Sequence, residues 1–345
     1  MNQKYFLINI FYLLCSNIFE FNNCKLVNEV VDYSYLLPKV RIDLVNKALK
    51  VLPGKGFVDI LKMCNSMAKL KGTYEMNDIE GAFLLYQWII KNINIICKPK
   101  KDEESSIKVY NSGEGNAYEI STLYKTMSYY LNITSGLIRG YIRNFDNRTY
   151  LPVQPYDWVW NYILINNTYY LVDVSFGKGG CFGNSERYYD NIFFFGTKPE
   201  FFISSNYPKD SKWQLLNEPV PFEKFKNNID KDYSFYEFGY TSISPENYTL
   251  EGGKEEITIT LYYDEIFPDC ERSAQYSFFN PITKFGTSNE QFTKISDGIF
   301  EAKISTKNKD FFKLRVLAHE ECGYQHQYSA IIANYFINHT KVEKN

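Results

Sequence analysis

The chain has 345 residues, 45% hydrophobic and 23% charged, which is the composition of one large folded domain or two ordinary ones. Its formal net charge of −2 and isoelectric point near 6.1 exclude the one-signed field that draws proteins to nucleic acid or to anionic membranes. Aromatics reach 18%, with 30 Tyr and 27 Phe, but Asn, Lys and Ile are abundant beside them, so the excess reads as coding bias rather than as a binding surface.

In chain order, Lys4 is followed by the apolar run Tyr5 to Cys15 and then by polar Asn22-Asn23. This is the positive, apolar and polar succession of a secretion signal, expected over residues 1–22, and the run is too short to span a bilayer. An amphipathic N-terminal core helix is the alternative. No later stretch has the length and apolarity of a span, and the end Lys341-Val342-Glu343-Lys344-Asn345 carries no lipid-anchor signal. The expected location is extracellular. Loss of Cys15 with the signal leaves Cys24, Cys64, Cys97, Cys181, Cys270 and Cys322, without CxxC or zinc spacing. In an oxidising compartment these are expected to form disulfides, with a pairing the sequence leaves open. Sequons at Asn132, Asn147, Asn166, Asn247 and Asn338 permit glycosylation without arguing for it.

Apolar spacing predicts helices over Val40 to Val51, closed by Pro53-Gly54, and over Phe57 to Leu70, stopped by Gly72. A third opens at the cap Asn77-Asp78, with Ile79, Ala82, Phe83, Tyr86, Ile89 and Ile90 on one face. Lys98 to Ser106 reads as a solvated charged loop. A fourth helix is predicted over Ala117 to Leu131 and a strand over Leu137 to Ile142. Trp158 to Ile165 and Tyr169 to Val174 form a hairpin about Asn166-Asn167. Helices first and sheet after make an α+β pattern. Short strand-like runs follow at Glu256 to Tyr263, Gly298 to Ser305, Phe311 to Ala318 and Ser329 to Ile337. They predict a β-sandwich over residues 230–340, behind a core with linker over 35–220.

Cysteine–histidine catalysis needs a thiol whose pKa falls at a helix start, an imidazole to hold its proton and a group that orients the imidazole. The order Gly115-Asn116-Ala117 with Ser121-Thr122-Leu123-Tyr124, then Trp158-Val159-Trp160-Asn161, then Leu171-Val172-Asp173 resembles the transglutaminase-like core, whose fold is papain-related. Gly140-Tyr141 falls where that family has Gly-Tyr on the intervening strand. Phe193 to Glu200, Asn206 to Asp210 and Trp213 to Leu216 resemble the linker of the kyphoscoliosis peptidase and hillarin group, which carries a β domain behind the core. The likeness extends over roughly residues 75 to 335.

The resemblance implies a thiol at Ala117, an imidazole at Trp158 and the orienting acid at Asp173. Only the acid is present, and a shift of alignment does not repair the loss. No cysteine lies between Cys97 and Cys181, and the three histidines, His319, His326 and His339, all lie near the C-terminus. Loss of either partner removes orders of magnitude in rate from a triad enzyme. The expectation is a secreted, catalytically inactive pseudoenzyme that binds one or more proteins or serves as a scaffold. No cofactor, metal, nucleic acid or membrane span is called for. The rival is an active transglutaminase or peptidase with a relocated nucleophile, Cys181 or, behind it, Cys97.

The remaining features each have two readings. Asp173 is either a ligand-binding acid or a structural acceptor for the Trp158 indole or a backbone N–H. Trp158 and Trp160 alternate on one strand, either as an exposed aromatic platform or as filling for the vacated cleft. His319-Glu320-Glu321-Cys322 with His326 contains metal-ligand types without zinc spacing and reads as a surface cluster.

Overall fold

The computed structural model describes residues 33–97, 105–143, 155–182, 185–188, 190–264, 270–280, 282–283, 285–308, 310–322 and 326–339. The expected signal 1–22, Cys15, Cys24, Asn147, the C-terminal tail and most of the charged loop lie outside them. So do the side chains of Cys181, Cys270, Glu321, Cys322 and His326. The chain divides into two compact units. The first comprises residues 1–144, 156–202 and 208–219, and the second comprises 145–155, 203–207 and 220–345.

The first unit begins with helices α1 (Ile42–Val51), α2 (Ile60–Thr73) and α3 (Asp78–Asn92). Short β1 (Asn94–Ile95), α4 (Ser106–Ser112) and β2 (Glu114–Gly115) lead into α5 (Ala117–Tyr130). Then come β3 (Thr134–Arg143), β4 (Pro155–Ile165), β5 (Thr168–Val172), α6 (Val174–Lys178), β6 (Gly179–Phe182), β7 (Ser185–Tyr188) and β8 (Phe195–Thr197). Four strands of the main sheet run in the order β8-β5-β4-β3, with β4 and β5 antiparallel. The β4–β5 turn is Asn166-Asn167, both in left-handed conformation at φ 51° and 60°, which suits a tight two-residue hairpin.

Two predictions are corrected here. The one-faced helix α3 is buried all round from Glu80 to Ile90, as befits a central helix rather than an amphipathic surface one. Asn77 and Glu80 close a capping box at its start, and buried Glu80 also takes Arg41 Nε at 2.6 Å and Nη2 at 2.7 Å. The hairpin's second strand stops at Val172 instead of reaching Val174. Asp173 caps α6, so the apolar run Val174-Ser175-Phe176 turns helical. Helix α4 was not anticipated.

Packing of α3 on α6 depends on Gly177. Tyr86 donates its hydroxyl proton to Asn191 O at 2.6 Å, and Asn191 N donates to Gly177 O at 2.8 Å. A Cβ on Gly177 would fall inside contact distance of Tyr86 Oη and 2.7 Å from Cζ. Gly177→Ala is therefore expected to lower stability by about 2–3 kcal/mol, read as a reduced midpoint in urea unfolding.

After α7 (Pro199–Phe202) and β9 (Asn206–Pro208), the second unit proceeds through α8 (Phe222–Asn227), β10 (Asp230–Lys231), α9 (Tyr233–Glu237), β11 (Tyr240–Ser244), β12 (Thr249–Glu251) and β13 (Ile257–Tyr263). It continues with β14 (Cys270–Asn280), β15 (Phe285–Gly286), β16 (Glu290–Gln291), β17 (Thr293–Ser296), β18 (Ile299–Ile304), β19 (Lys313–Cys322) and β20 (His326–Asn338). One sheet has the order β11-β13-β18-β17 and the other β10-β20-β19-β14-β15, with β12 on β20 and β16 on β14. The long strand β14 was not predicted, since Cys-Glu-Arg-Ser-Ala-Gln alternates weakly.

Asp232 caps α9 by accepting from Ser234 N at 3.0 Å. Burial, with the Asp230 charge nearby, pushes its carboxyl up to about 6 despite the opposing Ser234 hydrogen bonds. A carboxyl raised in the folded state holds its proton more tightly there, so its stabilising contribution is full below about pH 4 and lost as pH rises through about 6. Asp232→Asn keeps the cap and removes the charge. The residue is partly exposed, so the variant is expected to be more stable than the parent at pH 7.5 by about 1 kcal/mol. The two should converge at pH 4 in urea melts.

Candidate functional site

The start of α5 is fixed by the sequence around it. Asn116 Oδ1 accepts from Glu119 N at 3.0 Å, and Glu119 Oε2 accepts from Asn116 N at 2.9 Å, a closed capping box. Ala117 occupies the first helical position. One turn on, on the same face, Ser121 Oγ donates to Val159 O at 2.9 Å, and Asn161 Nδ2 donates to Ser121 O at 2.9 Å. These bonds tie the helix start to β4 beside Trp158.

Asp173, fully buried between β5 and α6, uses both oxygens. Oδ1 accepts from Phe176 N at 2.8 Å and caps α6, while Oδ2 accepts from Trp158 Nε1 at 3.0 Å. Both acceptor roles raised from the sequence are present. The Trp158 ring also meets Phe176 edge-on at 6.1 Å. Ser175, one residue before Phe176, donates Oγ–H to Ala117 O at 3.2 Å and joins α6 to the start of α5. The fold thus brings Ala117, Trp158 and Asp173 to one locus.

The chemistry available at that locus is narrow. An indole N–H donates and holds no exchangeable base, and a methyl group is no nucleophile. Ala117 is 7% exposed and Trp158 4%, so bulk fills the space. Trp160 is buried too and packs on Phe202 at 5.8 Å, which overturns the exposed-platform reading of this pair. Sequence reasoning assigned no role to Ser175 or Phe176. The signal for the Phe176 contact was an Asp three residues before an amide that an N-cap reaches.

Two cysteines come forward on the relocated-nucleophile reading. Cys97 offers no free thiol. The Cys181 backbone lies in β6, and its side chain is outside the described residues. Cys64, a free thiol buried in α2, is pushed up to about 11 by desolvation, the opposite of activation. In the His319 cluster, His319 Nδ1 meets Ser329 Oγ at 2.6 Å, while buried Glu320 pairs with Arg272. Adjacent strand residues face opposite ways, so His319 and Glu320 do not converge on one ion.

No family model matches the chain. Over 191 residues it is 25% identical to the kyphoscoliosis peptidase of Homo sapiens, a match that covers 53% of this chain and 29% of that protein. The Lim and transglutaminase domain protein ltd-1 of Caenorhabditis elegans is 23% identical over 228 residues, 59% of this chain and 30% of the relative. Hillarin of Drosophila melanogaster is 22% identical over 178 residues, covering 47% and 22%. The chain is similar to transglutaminase-like proteins over about half of its length. It spans less than a third of the length of these relatives. Among solved structures, red sea bream transglutaminase superposes with a TM-score of 0.26 at 9% identity, over 84% of this chain and 57% of that one. No helix among the described residues of this chain is long and apolar enough to cross a membrane.

Proposed function

We propose that the chain is a secreted, catalytically inactive transglutaminase-like protein that acts by binding another protein. The observation that carries this is the indole of Trp158. Its N–H occupies Asp173 Oδ2, the partnership an imidazole would need, while Ala117 at the helix start carries only a methyl group. A carboxylate whose two oxygens are committed to an indole and a helix cap acts as a fastener. A protein partner is favoured because the name of the nematode relative couples a transglutaminase domain to a LIM domain. The second unit, with one antiparallel sheet and one that is antiparallel except where β12 joins β20, is proposed as the sandwich that presents a further binding surface. Secretion is supported by the Lys4 to Cys15 pattern, and the exposed sequon asparagines Asn132, Asn166 and Asn247 are compatible with it.

The purified chain, incubated with an amine donor and a glutaminyl acceptor and separately with peptide substrates, is expected to match a heat-treated control. Turnover above that control overturns the reading. In that event a thiol-reactive probe followed by peptide mapping identifies the cysteine responsible.

A further inference from the structure

The first rung of the β14–β19 ladder pairs Cys270 directly with Cys322. The ladder runs unbroken from there to Phe279 opposite Lys313, so the register of the two cysteines is held by nine further antiparallel pairs. Directly opposed residues on such strands present their side chains to the same face, with Cα atoms roughly 4.5–5.5 Å apart. That interval lies inside the roughly 4.4–6.8 Å that a disulfide spans. We infer that Cys270 and Cys322 form a cross-strand disulfide in the native protein.

The position of the rung gives the bond a purpose. Two residues along, on the same face by strand alternation, Arg272 opposes Glu320. Their side chains are 5% and 8% exposed and form an ion pair, with Arg272 Nη1 also donating to Asp264 O at 2.7 Å and the guanidinium lying over Tyr263 at 5.5 Å. Burial pushes the Glu320 carboxyl up against the opposing pull of Arg272. A buried pair of this kind is costly if its geometry loosens. The ladder end is where strands fray first, and a covalent rung there keeps the pair aligned and closed to water.

The oxidant is a protein disulfide of the dithiol–disulfide oxidoreductase class. One cysteine thiolate attacks a sulfur of that disulfide, forming a mixed disulfide and releasing one oxidant thiolate. The second cysteine thiolate then displaces the other oxidant sulfur. Two protein thiols lose two protons and two electrons, and the oxidant leaves as a dithiol. In cells the bond rests on the secretion reading above, because that compartment supplies the oxidant.

The test uses the full chain. Protein recovered from the medium of secreting cells is alkylated with iodoacetamide in denaturant, digested without reductant and mapped by mass spectrometry. A second sample, made in reducing cytosol, is refolded in a glutathione redox buffer and mapped the same way. A linked peptide pair carrying Cys270 and Cys322 is expected in both, with Cys64 alkylated as the internal control. The link in refolded material alone supports the cross-link and counts against secretion. Alkylation of both cysteines in the refolded sample, or their linkage to other cysteines, overturns the inference. Reductant also opens the bond that Cys97 makes in both proteins, so it is expected to lower the melting midpoint of the parent by several degrees more than that of a Cys270→Ser/Cys322→Ser variant. An equal shift in both proteins overturns a stabilising role.

Discussion

Asp173→Ala is expected to lower the stability of the first unit by about 3 kcal/mol, from the sum of two losses. Removing an N-cap costs about 1 kcal/mol. Leaving a buried donor without its acceptor costs about 1–3 kcal/mol, and the Trp158 indole N–H donates to Asp173 in a buried environment. Asp173→Asn separates the two roles. One amide oxygen serves either Phe176 N or Trp158 Nε1, and the NH2 group that replaces the other oxygen has nothing to offer an N–H. That variant should fall between the parent and alanine, about 1–2 kcal/mol below the parent. Urea unfolding at pH 7 measures both. A loss below about 0.5 kcal/mol for alanine would show that the carboxylate is not the fastener described here.

Ala117→Cys combined with Trp158→His is expected to create a reactive thiol. A cysteine at the first helical position of α5 gains from the helix N-terminus, which favours thiolate. Histidine at 158 replaces a fixed donor with a base and can hand its other ring proton to Asp173 Oδ2, as the indole does now. Buried Glu119 in the capping box opposes thiolate formation, which limits the gain. The double variant should therefore react with iodoacetamide at pH 7 about tenfold faster than Ala117→Cys alone, with its pH profile displaced below that of an ordinary thiol. Exchanging indole for imidazole costs packing, so circular dichroism must first show both proteins folded. Equal reactivity of the folded single and double variants would mean that positions 117 and 158 do not act on one another.

Much of the first unit was legible in the chain. Asn77 and the Asn166-Asn167 turn act through local geometry, so the start of α3 and the hairpin could be placed from residue type alone, whereas the capping box at Asn116 came to light in the folded chain. The all-round burial of α3 was not legible, because a helix shows which of its faces are apolar but not how many neighbours will cover them. The turn of Val174-Ser175-Phe176 into helix α6 was hidden in the same way. An apolar run is compatible with either state, and the choice lay with a cap supplied by Asp173.

By itself the sequence determined the chemistry at positions 117, 158 and 173: a methyl, an indole and a carboxylate. It also determined that no histidine precedes His319. Only the tertiary structure decided what these groups do together. Hydrogen bonds depend on which strands and helices end up side by side, so the capture of Asp173 by Trp158 Nε1 and Phe176 N, and the facing of Cys270 with Cys322, required the folded chain.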